Sequence, residues 1–315
     1  MKKILDIPNN IEPLDTFLEK AAFHKLKRLL QENIDLNCDG YRDDYLKRRL
    51  EVRLRATNSK TYSKYIIYLK KHIEEYQLLL NDLTINYTMF FRDSDVYLYL
   101  EKILLPKLLT SDAVRIWSAG CATGEEPYSL AILATKILGQ NSATHQVSIF
   151  ASDIDKDALA KAAKGEYQKK QINGLADDLI IKYFTREGEV YRVKDFLHRL
   201  ISFEHHDLMK EPQHKGLDLI LCRNVMIYFS KESQQQIHMS FYHALREEGY
   251  LITGKAEILS GEPSKKFQPI DVVNRVYQKP KPESRACQTG IIQSAPFQAI
   301  HYRGHESPRL DVLLV

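Results

Sequence analysis

The fold of this 315-residue chain is decided by one segment, Ile116-Trp117-Ser118-Ala119-Gly120-Cys121-Ala122-Thr123-Gly124-Glu125-Glu126-Pro127-Tyr128-Ser129. An apolar run ends at Trp117, two glycines follow four residues apart, and a helical pattern begins after Pro127. This order of strand, tight glycine turn and helix is typical of the first βαβ unit of a nucleotide-type site. Glycine suits the turn because it lets the backbone pass close to a ligand.

Two adjacent acids in this turn indicate which kind of ligand it binds. A phosphate at a helix N-terminus is held by N–H groups and is disfavoured by a nearby carboxylate. Glu125 and Glu126 therefore argue against a pyrophosphate and favour a ligand that is cationic or rich in hydroxyls and amines. S-adenosylmethionine, with its amino group and sulfonium, fits that description.

Composition and charge exclude several classes of protein. The net charge of +4 is small for this length, whereas a nucleic-acid-binding domain is expected to be strongly basic. The sequence contains no apolar run of the ~18 residues that a membrane-spanning helix needs, and its first residues lack the apolar core of a secretory signal. We therefore expect a cytoplasmic protein that is not inserted in a membrane.

The four cysteines make a metal site or a disulfide framework unexpected. Cys38, Cys121, Cys222 and Cys287 are far apart in the sequence and show no Cys-x-x-Cys spacing. Zinc sites and small disulfide-linked folds both depend on closer, regular spacing. The sequence therefore predicts no metal.

Residues 11–82 are expected to form helices, one of them amphipathic and basic. Leu46, Leu50 and Leu54 recur every four residues and predict one buried stripe. The other faces of the same helix carry the basic residues Lys47, Arg48, Arg49, Arg53 and Arg55. A solvated helix face is the commoner meaning of such a charge run.

From residue 86 onward, apolar β-branched runs alternate with helical stretches. Strands are predicted at 114–117, 147–151, 200–203, 217–222 and 250–253, with a late pair within 269–277, and helices at 95–109, 127–138, 156–163 and 230–245. Alternation of this kind predicts a mostly parallel sheet covered on both faces.

Two segments depart from the alternation. A short hairpin is predicted to turn at Glu187-Gly188, giving a small antiparallel appendage at about 183–203. The sequence after 280 has no clear periodicity, so residues 281–315 are predicted to be a flexible extension.

Two acids follow the second predicted strand. An acid at this position usually receives the ribose hydroxyls of a nucleoside, and the alternative is an N-cap for the next helix. Because the glycine turn lies upstream at a suitable distance, we assign Asp153 to the ribose and Asp155 to the cap.

Polar residues also follow two further strands. Asp207 and Leu208 are candidates for the adenine amino group and ring, although a loop Asp can simply bond its own backbone. Asn224 and Tyr228 follow the fourth strand, at the edge where open α/β sheets bind ligands. They could equally be a turn former and a core aromatic.

An arginine lies where the helical part meets the α/β part. Arg92 follows Phe90 and Phe91, and a guanidinium there is a candidate clamp for a carboxylate, which it binds through two hydrogen bonds. The alternative is a packing segment with a surface arginine.

Taken together, these segments resemble the chemotaxis receptor methyltransferase (CheR) family. The matching blocks occur in family order over roughly residues 15–280: Asn86-x-Thr88-x-Phe90-Phe91-Arg92, Gly120-x-x-x-Gly124-Glu125-Glu126-Pro127-Tyr128-Ser129, Ala151-Ser152-Asp153-Ile154-Asp155, Gly165-x-Tyr167, Cys222-Arg223-Asn224-Val225-x-Ile227-Tyr228-Phe229, and Leu251-x-x-Gly254 with Glu257. Each block is weak alone, but the ordered set is specific.

The resemblance implies both a fold and an activity. The fold is a Rossmann-like S-adenosylmethionine-dependent methyltransferase (86–280) with a small all-helical N-terminal domain (11–82) and a small antiparallel β appendage. The activity is methyl transfer from S-adenosylmethionine to glutamate side chains of bacterial chemoreceptors. The basic helix would then dock on the acidic receptor helices, and a monomer is expected.

The resemblance also implies the site residues. The cofactor set is Asn86, Thr88, Arg92, Glu125, Asp153, Asp207, Leu208, Asn224 and Val225. Arg92 and Tyr228 are implied to lie closest to the chemistry, and S-adenosylhomocysteine is the expected product.

The chain departs from the family pattern at two places. Asp207 stands where the family commonly has Asn, and an Asp can still accept from the adenine amino group. The turn Glu187-Gly188-Glu189 lacks the glycine-x-glycine insertion of members that tether to a receptor pentapeptide. This favours an enzyme that works without tethering.

Other functions remain as alternatives. They are a methyltransferase with a different acceptor and a non-catalytic module that binds S-adenosylmethionine and regulates a partner. A nicotinamide dehydrogenase is disfavoured because the sequence has no Gly-x-Gly-x-x-Gly.

Overall fold

The computed structural model describes residues 16–34, 36–139 and 146–282. Its first part is helical: α1 Phe17–Ile34, a 3₁₀ turn at Cys38–Gly40, α2 Asp43–Ala56, α3 Tyr62–Lys71 and α4 Glu75–Leu83. These helices share one apolar core, and the predicted stripe of Leu46, Leu50 and Leu54 lies in it. The prediction of an amphipathic helix over 45–55 is therefore confirmed.

Strands and helices alternate in the second part. The helices are α5 Ser94–Tyr99, α6 Leu105–Leu108, α7 Glu125–Leu138, α8 Lys156–Lys164, α9 Lys169–Ile172, α10 Asp177–Tyr183, α11 Asp195–His198, α12 Lys231–Ala244 and α13 Glu262–Lys266. The strands are β1 Ala113–Ala119, β2 Gln146–Asp153, β3 Glu166–Gln168, β4 Phe184–Glu187, β5 Val190–Val193, β6 Ile201–His205, β7 Leu217–Cys222, β8 Leu245–Thr253, β9 Gln268–Asp271 and β10 Val276–Gln278.

Seven strands form the main sheet, in the order β6-β2-β1-β7-β8-β10-β9. The first five run parallel, while β10 and β9 are antiparallel to their neighbours. All six residues of β7 are buried, as expected for a central parallel strand covered on both faces. Each strand predicted from the sequence is present, so the predicted α/β fold with a mostly parallel sheet is confirmed.

The strand order creates a crevice between two central strands. From β1 the chain continues to β2 on one side, whereas β7 pairs with β1 on the other side. In open α/β sheets, a ligand binds at the carboxyl edge where the order reverses in this way. The loops that follow β1, β2, β6 and β7 therefore meet around one crevice.

The small antiparallel sheet is larger than predicted. Its order is β3-β5-β4, so the predicted hairpin is present but a third strand, Glu166–Gln168, pairs with β5. The predicted limits of 183–203 are wrong at both ends, because Ile201–His205 belongs to the main sheet. A three-residue strand without alternation gives too little pattern to identify from sequence.

The predicted helix over 95–109 is interrupted. Its middle turn, Leu100–Leu104, is π-helical, and Pro106 follows within the first turn of α6. Proline has no N–H to donate to the carbonyl four residues before it, and single π turns accommodate such irregularities within helices.

Three cysteines, Cys38, Cys121 and Cys222, are free and buried. Cys287 and the predicted extension beyond residue 282 lie outside the described residues. No helix in the described ranges is long and apolar enough to cross a membrane.

Candidate active site

A cleft of about 900 Å³, open to solvent, lies at the carboxyl edge of the main sheet. The segments that follow β1, β2, β6 and β7 contribute to its walls, together with the connection 84–92 and two residues of the helical part, Tyr41 and Leu83. Of the nine predicted cofactor residues, eight line it: Asn86, Thr88, Arg92, Asp153, Asp207, Leu208, Asn224 and Val225.

The two glycines of the turn are required by close packing. Gly120 has φ of +81°, and a Cβ there would lie 2.5 Å from Cγ2 of Val225. Gly124 has φ of +95°, and a Cβ would lie 2.9 Å from Cβ of Ala162 in α8. Both positions combine left-handed backbone with no room for a side chain, which leaves glycine as the residue that fits.

Two acids stand at the end of β2, Asp153 as its last residue and Asp155 two residues later, and the predicted helix cap at Asp155 is confirmed. Asp155 caps α8, since its Oδ1 accepts from the amides of Asp157 and Ala158. Its Oδ2 accepts from Thr84 and from the Asn86 side chain, at 2.7 Å each. Asp155 therefore ties the connection 84–92 to the sheet and orients Asn86 at the cleft.

Asp153 faces the cleft with both carboxylate oxygens already ordered. Its Oδ2 accepts from the amide of Ala122 at 2.8 Å, and its Oδ1 accepts from the amide of Asp155 at 2.9 Å. A carboxylate oxygen has two lone pairs, so each can accept a further hydrogen bond from a hydroxyl. This geometry suits a ribose.

Of the two adjacent glutamates, the one that lines the cleft is not the predicted one. Glu125, predicted to hold the cofactor, is 2% exposed and lies outside the cleft wall. It accepts from Thr123 Oγ1 at 2.7 Å and from Gln171 Nε2 at 3.3 Å. Glu126 lines the cleft instead. Successive residues of a helix point about 100° apart, so the two acids point in different directions, and the orientation of α7 decides which one faces the cleft.

Glu126 places a largely buried carboxyl group at the cleft, with its side chain 12% exposed. It accepts from Ser118 Oγ at 2.8 Å, and its other oxygen lies 3.6 Å from Nη1 of Arg223. Burial raises the pKa of Glu126, and the Arg223 charge and the Ser118 hydrogen bond oppose that rise. A carboxylate in this setting is a suitable partner for an ammonium group.

The predicted adenine and strand-end residues also have the expected positions. Asp207 is 5% exposed and accepts from the amide of Met209 at 2.9 Å, so it bonds its own backbone and lines the cleft at once. Asn224 has φ of +60°, and its amide donates to Glu257 at 2.9 Å. The buried Oδ1 of Asn224 has no hydrogen-bond partner in the described part of the chain, which leaves it available to a ligand donor.

Arg92 and Tyr228 lie in the wall of the same cleft. Nη1 of Arg92 donates to the carbonyl of Tyr87 at 3.0 Å, and the guanidinium lies 5.3 Å from the centre of the Tyr87 ring. Both partners are neutral, so the charge remains available to a carboxylate. Burial raises the pKa of Tyr228, although the charge of Arg92 opposes it; the phenol is therefore protonated at neutral pH.

The helical part contributes to the site, which the sequence did not indicate. Tyr41 lines the cleft, and its ring stacks on Phe229. The amide of Arg42 donates to the carbonyl of Tyr228 at 3.0 Å, and the Tyr45 ring lies 4.8 Å from that of Tyr228. These contacts join residues far apart in sequence, so no local motif reveals them.

Further residues of the wall were also missed, notably Thr84, His206 and Arg223. Arg223 stands inside the quoted block Cys222-Arg223-Asn224 and could have been found there. No group of His, Cys, Asp or Glu within residues 16–34, 36–139 and 146–282 is arranged to hold a metal ion.

The basic face of α2 is smaller than predicted. Arg48 and Arg55 are exposed, and Lys47 lies 5.5 Å from the centre of the Phe23 ring. The side chain of Arg53 is 14% exposed and pairs with Glu75 at 2.7 Å and with Asp82 at 3.1 Å. Arg53 therefore pairs within the fold, and its docking role stays a prediction that these contacts disfavour.

Arg49 is also partly committed to the fold, since its Nε donates to the carbonyl of Asp82 at 2.5 Å. Arg49 and Arg53 both bond to α4 because of their spacing along α2. Arg49 and Arg53 stand one turn apart on the flank of α2 that faces α4, and the sequence alone did not show that α4 packs there.

Two family models match the chain. The model of the CheR methyltransferase SAM binding domain matches residues 86–276, and that of the CheR methyltransferase all-alpha domain matches residues 21–84.

Curated relatives are similar over most of their length. The chain is 32% identical to a chemotaxis protein methyltransferase of Borreliella burgdorferi, over 81% of this chain and 94% of the relative. It is 34% identical to that of Listeria monocytogenes, over 76% and 90%. It is also 34% identical to that of Escherichia coli K12, over 77% and 86%.

Proposed function

Because this chain belongs to the CheR methyltransferase family, we propose that it transfers the methyl group of S-adenosylmethionine to glutamate side chains of chemoreceptors. It is an S-adenosylmethionine-dependent methyltransferase of chemotactic adaptation, and the finer proposal concerns the acceptor atom. The observation that carries it is that Arg92, whose contacts are to neutral groups, lines the same cleft as Tyr228 and the cofactor residues.

The residues of the cleft fit S-adenosylmethionine. Asp153 would accept from the ribose hydroxyls, and Asp207 with Leu208 would hold the adenine. Glu126 offers a largely buried carboxylate to the ammonium group, in place of Glu125. The remaining members of the cofactor wall would be Asn86, Thr88, Asn224 and Val225, with Arg92 at its edge. Bound in this way, the cofactor supplies an electrophilic methyl group on a sulfonium.

The acceptor requires orientation rather than activation. A glutamate side chain has a reference pKa near ~4.3, so it is already ionised at neutral pH and needs no general base. Holding a carboxylate oxygen in line with the methyl group can lower the barrier by roughly 7–11 kcal/mol. Arg92 would orient the carboxylate, and the protonated phenol of Tyr228 would shape the methyl site and donate one hydrogen bond.

Charge changes along this reaction set a limit on how tightly the acceptor is held. Carboxylate and sulfonium become a neutral ester and a thioether. A site that excludes water favours this neutralisation, whereas pairing the ground-state carboxylate too strongly would slow it. Arg92 is partly exposed, which supports a contact that orients the acceptor carboxylate without binding it too tightly to react.

The receptor would dock on the exposed part of the basic helix. Arg48 and Arg55 are exposed on α2. The guanidinium of Arg48 lies 5.9 Å from the centre of the Tyr45 ring, and that ring centre lies 4.8 Å from the ring centre of Tyr228. The basic face therefore adjoins the cleft. Complementary charge on an acidic receptor helix would raise the association rate and select the partner.

The remaining features of the proposal follow from the chain itself. The short turn between β4 and β5, at Gly188, favours recognition without a pentapeptide tether. A monomer working in the cytoplasm is proposed, and no metal is required by the reaction.

The test is to identify the modified residue on the acceptor. Receptor-containing membranes would be incubated with the protein and S-adenosylmethionine, and receptor peptides analysed by mass spectrometry. The proposal predicts the mass of one added methylene on glutamate residues. Cofactor binding without any methylated receptor glutamate would contradict it and favour a regulatory module or a different acceptor.

A further inference from the structure

A buried arginine connects the edge of the main sheet to the segment that carries Arg92. The side chain of Arg223 is 2% exposed. Its Nη2 donates to Oδ2 of Asp93 at 2.6 Å and to the backbone carbonyl of Arg92 at 2.9 Å. Its Nη1 lies 3.6 Å from Oε2 of Glu126. Arg223 thus contacts both the Arg92 segment and the acid in the cofactor wall.

The segment around Arg92 has a backbone that requires an anchor. Phe91 and Asp93, on either side of Arg92, have φ of +52° and +59°. Left-handed backbone at residues other than glycine persists when the surroundings hold it in place. The side chain of Arg92 itself contacts Tyr87, which is 68% exposed. An exposed partner does little to hold Arg92 in place. A contact that fixes this segment therefore has to act on its backbone.

Arg223 is fixed by the rigid part of the fold. It follows Cys222, the last residue of the fully buried strand β7. Its guanidinium lies 5.6 Å from the centre of the buried Tyr97 ring. The next residue, Asn224, is held by the hydrogen bond from its amide to Glu257.

We propose that Arg223 is a positioning residue, which fixes the Arg92 segment relative to Glu126. It thereby sets the orientation of the acceptor carboxylate relative to the bound cofactor. The role assigned to Arg92 rests on the proposed function, whereas the anchoring does not. A guanidinium is needed because it makes several directional contacts at once, and a lysine would keep the charge but offer a single point of contact.

The first experiment tests the anchoring by amide hydrogen exchange. Arg223→Lys should speed exchange in the peptide that contains Phe91 and Asp93, where the amide of Phe91 donates to Ser129. The control is Arg246→Lys, since Arg246 pairs with Asp218 away from the cleft. Unchanged exchange around Phe91 in Arg223→Lys would overturn the proposal.

The second experiment tests whether the effect acts through Arg92. Arg223→Lys should lower kcat by about tenfold or more, since small misplacements of a reacting group are costly, with a smaller change in the KM for S-adenosylmethionine. In an Arg92→Lys background the same substitution should have little further effect, because coupled residues are not additive. Independent, multiplicative losses would mean general damage and would refute a positioning role.

A second variant keeps the test valid if Arg223→Lys folds poorly. Asp93→Asn weakens the same link and leaves Arg223 beside Glu126, so it should change exchange and kcat in the same direction. If the wild-type protein methylates no receptor, the proposed function fails. The exchange experiment then still decides the anchoring.

Discussion

The ring of Tyr41 stacks on the ring of Phe229, with centroids 4.6 Å apart and planes at 27°. The two residues also form an antiparallel backbone bridge, and the amide of Ser230 donates to the carbonyl of Gly40 at 2.9 Å. The turn before α2 is therefore attached to the segment that carries Tyr228. The helical part therefore completes the wall of the cleft.

Removing the Tyr41 ring should affect both stability and cofactor binding. Tyr41→Ala is expected to cost about 2 kcal/mol of unfolding free energy, since the ring is half-buried and part of a stacked pair. It should also weaken S-adenosylhomocysteine binding, measured by calorimetry. Tyr41→Phe keeps the stack and is the control. Unchanged affinity in Tyr41→Ala would remove Tyr41 from the binding wall.

Substitution of Arg92 should lower turnover and leave the stability of the fold nearly unchanged. Arg92→Ala removes the orienting guanidinium and is expected to reduce kcat by a factor on the order of 10², measured as initial rates at saturating cofactor. Arg92→Lys keeps the charge but lacks the paired N–H donors of the guanidinium, so its kcat should lie between those of Arg92→Ala and wild type. The melting temperature should change little, because the side chain is partly exposed. Activity and cofactor affinity near wild type in Arg92→Ala would refute the assignment.

The arginines of α2 should divide into two groups. Reversing the exposed charges in Arg48→Glu with Arg55→Glu should lower kcat/KM for receptor membranes, most strongly at low salt, with little effect on stability. Arg53→Glu should instead destabilise the fold by about 3 kcal/mol or more, because it leaves the buried Glu75 unpaired. Normal methylation by the doubly reversed protein would exclude α2 as the docking face.

A buried histidine predicts how stability depends on pH. Burial lowers the pKa of His238 to about 4, from about 6.5 in the unfolded chain. The unfolded state therefore binds the proton first as pH falls below 6.5, and stability decreases down to pH 4. Between pH 7.5 and 5 the loss from this group is about 2 kcal/mol.

Urea denaturation at the two pH values measures this effect. His238→Leu removes the titrating group, so the variant should lose less stability than wild type between pH 7.5 and pH 5. An equal loss in both proteins would show that His238 does not titrate as described.

The sequence predicted the sheet well because its central strands are strongly patterned. The run from Leu217 to Cys222 is bounded by turn signals and is found as β7 with the same limits. The short strand Glu166–Gln168 has no such pattern and exists through its pairing with β5. Local periodicity thus identifies elements that bury a face of their own, and misses those that tertiary pairing creates.

The candidate site divides in the same way. Residues at or just beyond the end of a strand, such as Asp153 and Asn224, were predicted because parallel strands end at a common edge. Tyr41 was missed because its contact with Phe229 joins distant parts of the chain. Glu125 was assigned from the family resemblance, whereas Glu126 lines the cleft, because the orientation of α7 decides which of the two adjacent acids faces it.

The central claim is the formation of glutamyl methyl esters on a chemoreceptor. The most direct measurement is transfer of tritiated methyl from S-adenosylmethionine to receptor-containing membranes, followed by treatment of the receptor band with alkali. We expect label on that band which alkali releases as methanol, because carboxyl methyl esters are base-labile. An unlabelled receptor band, from a protein that binds the cofactor by calorimetry, would contradict the claim.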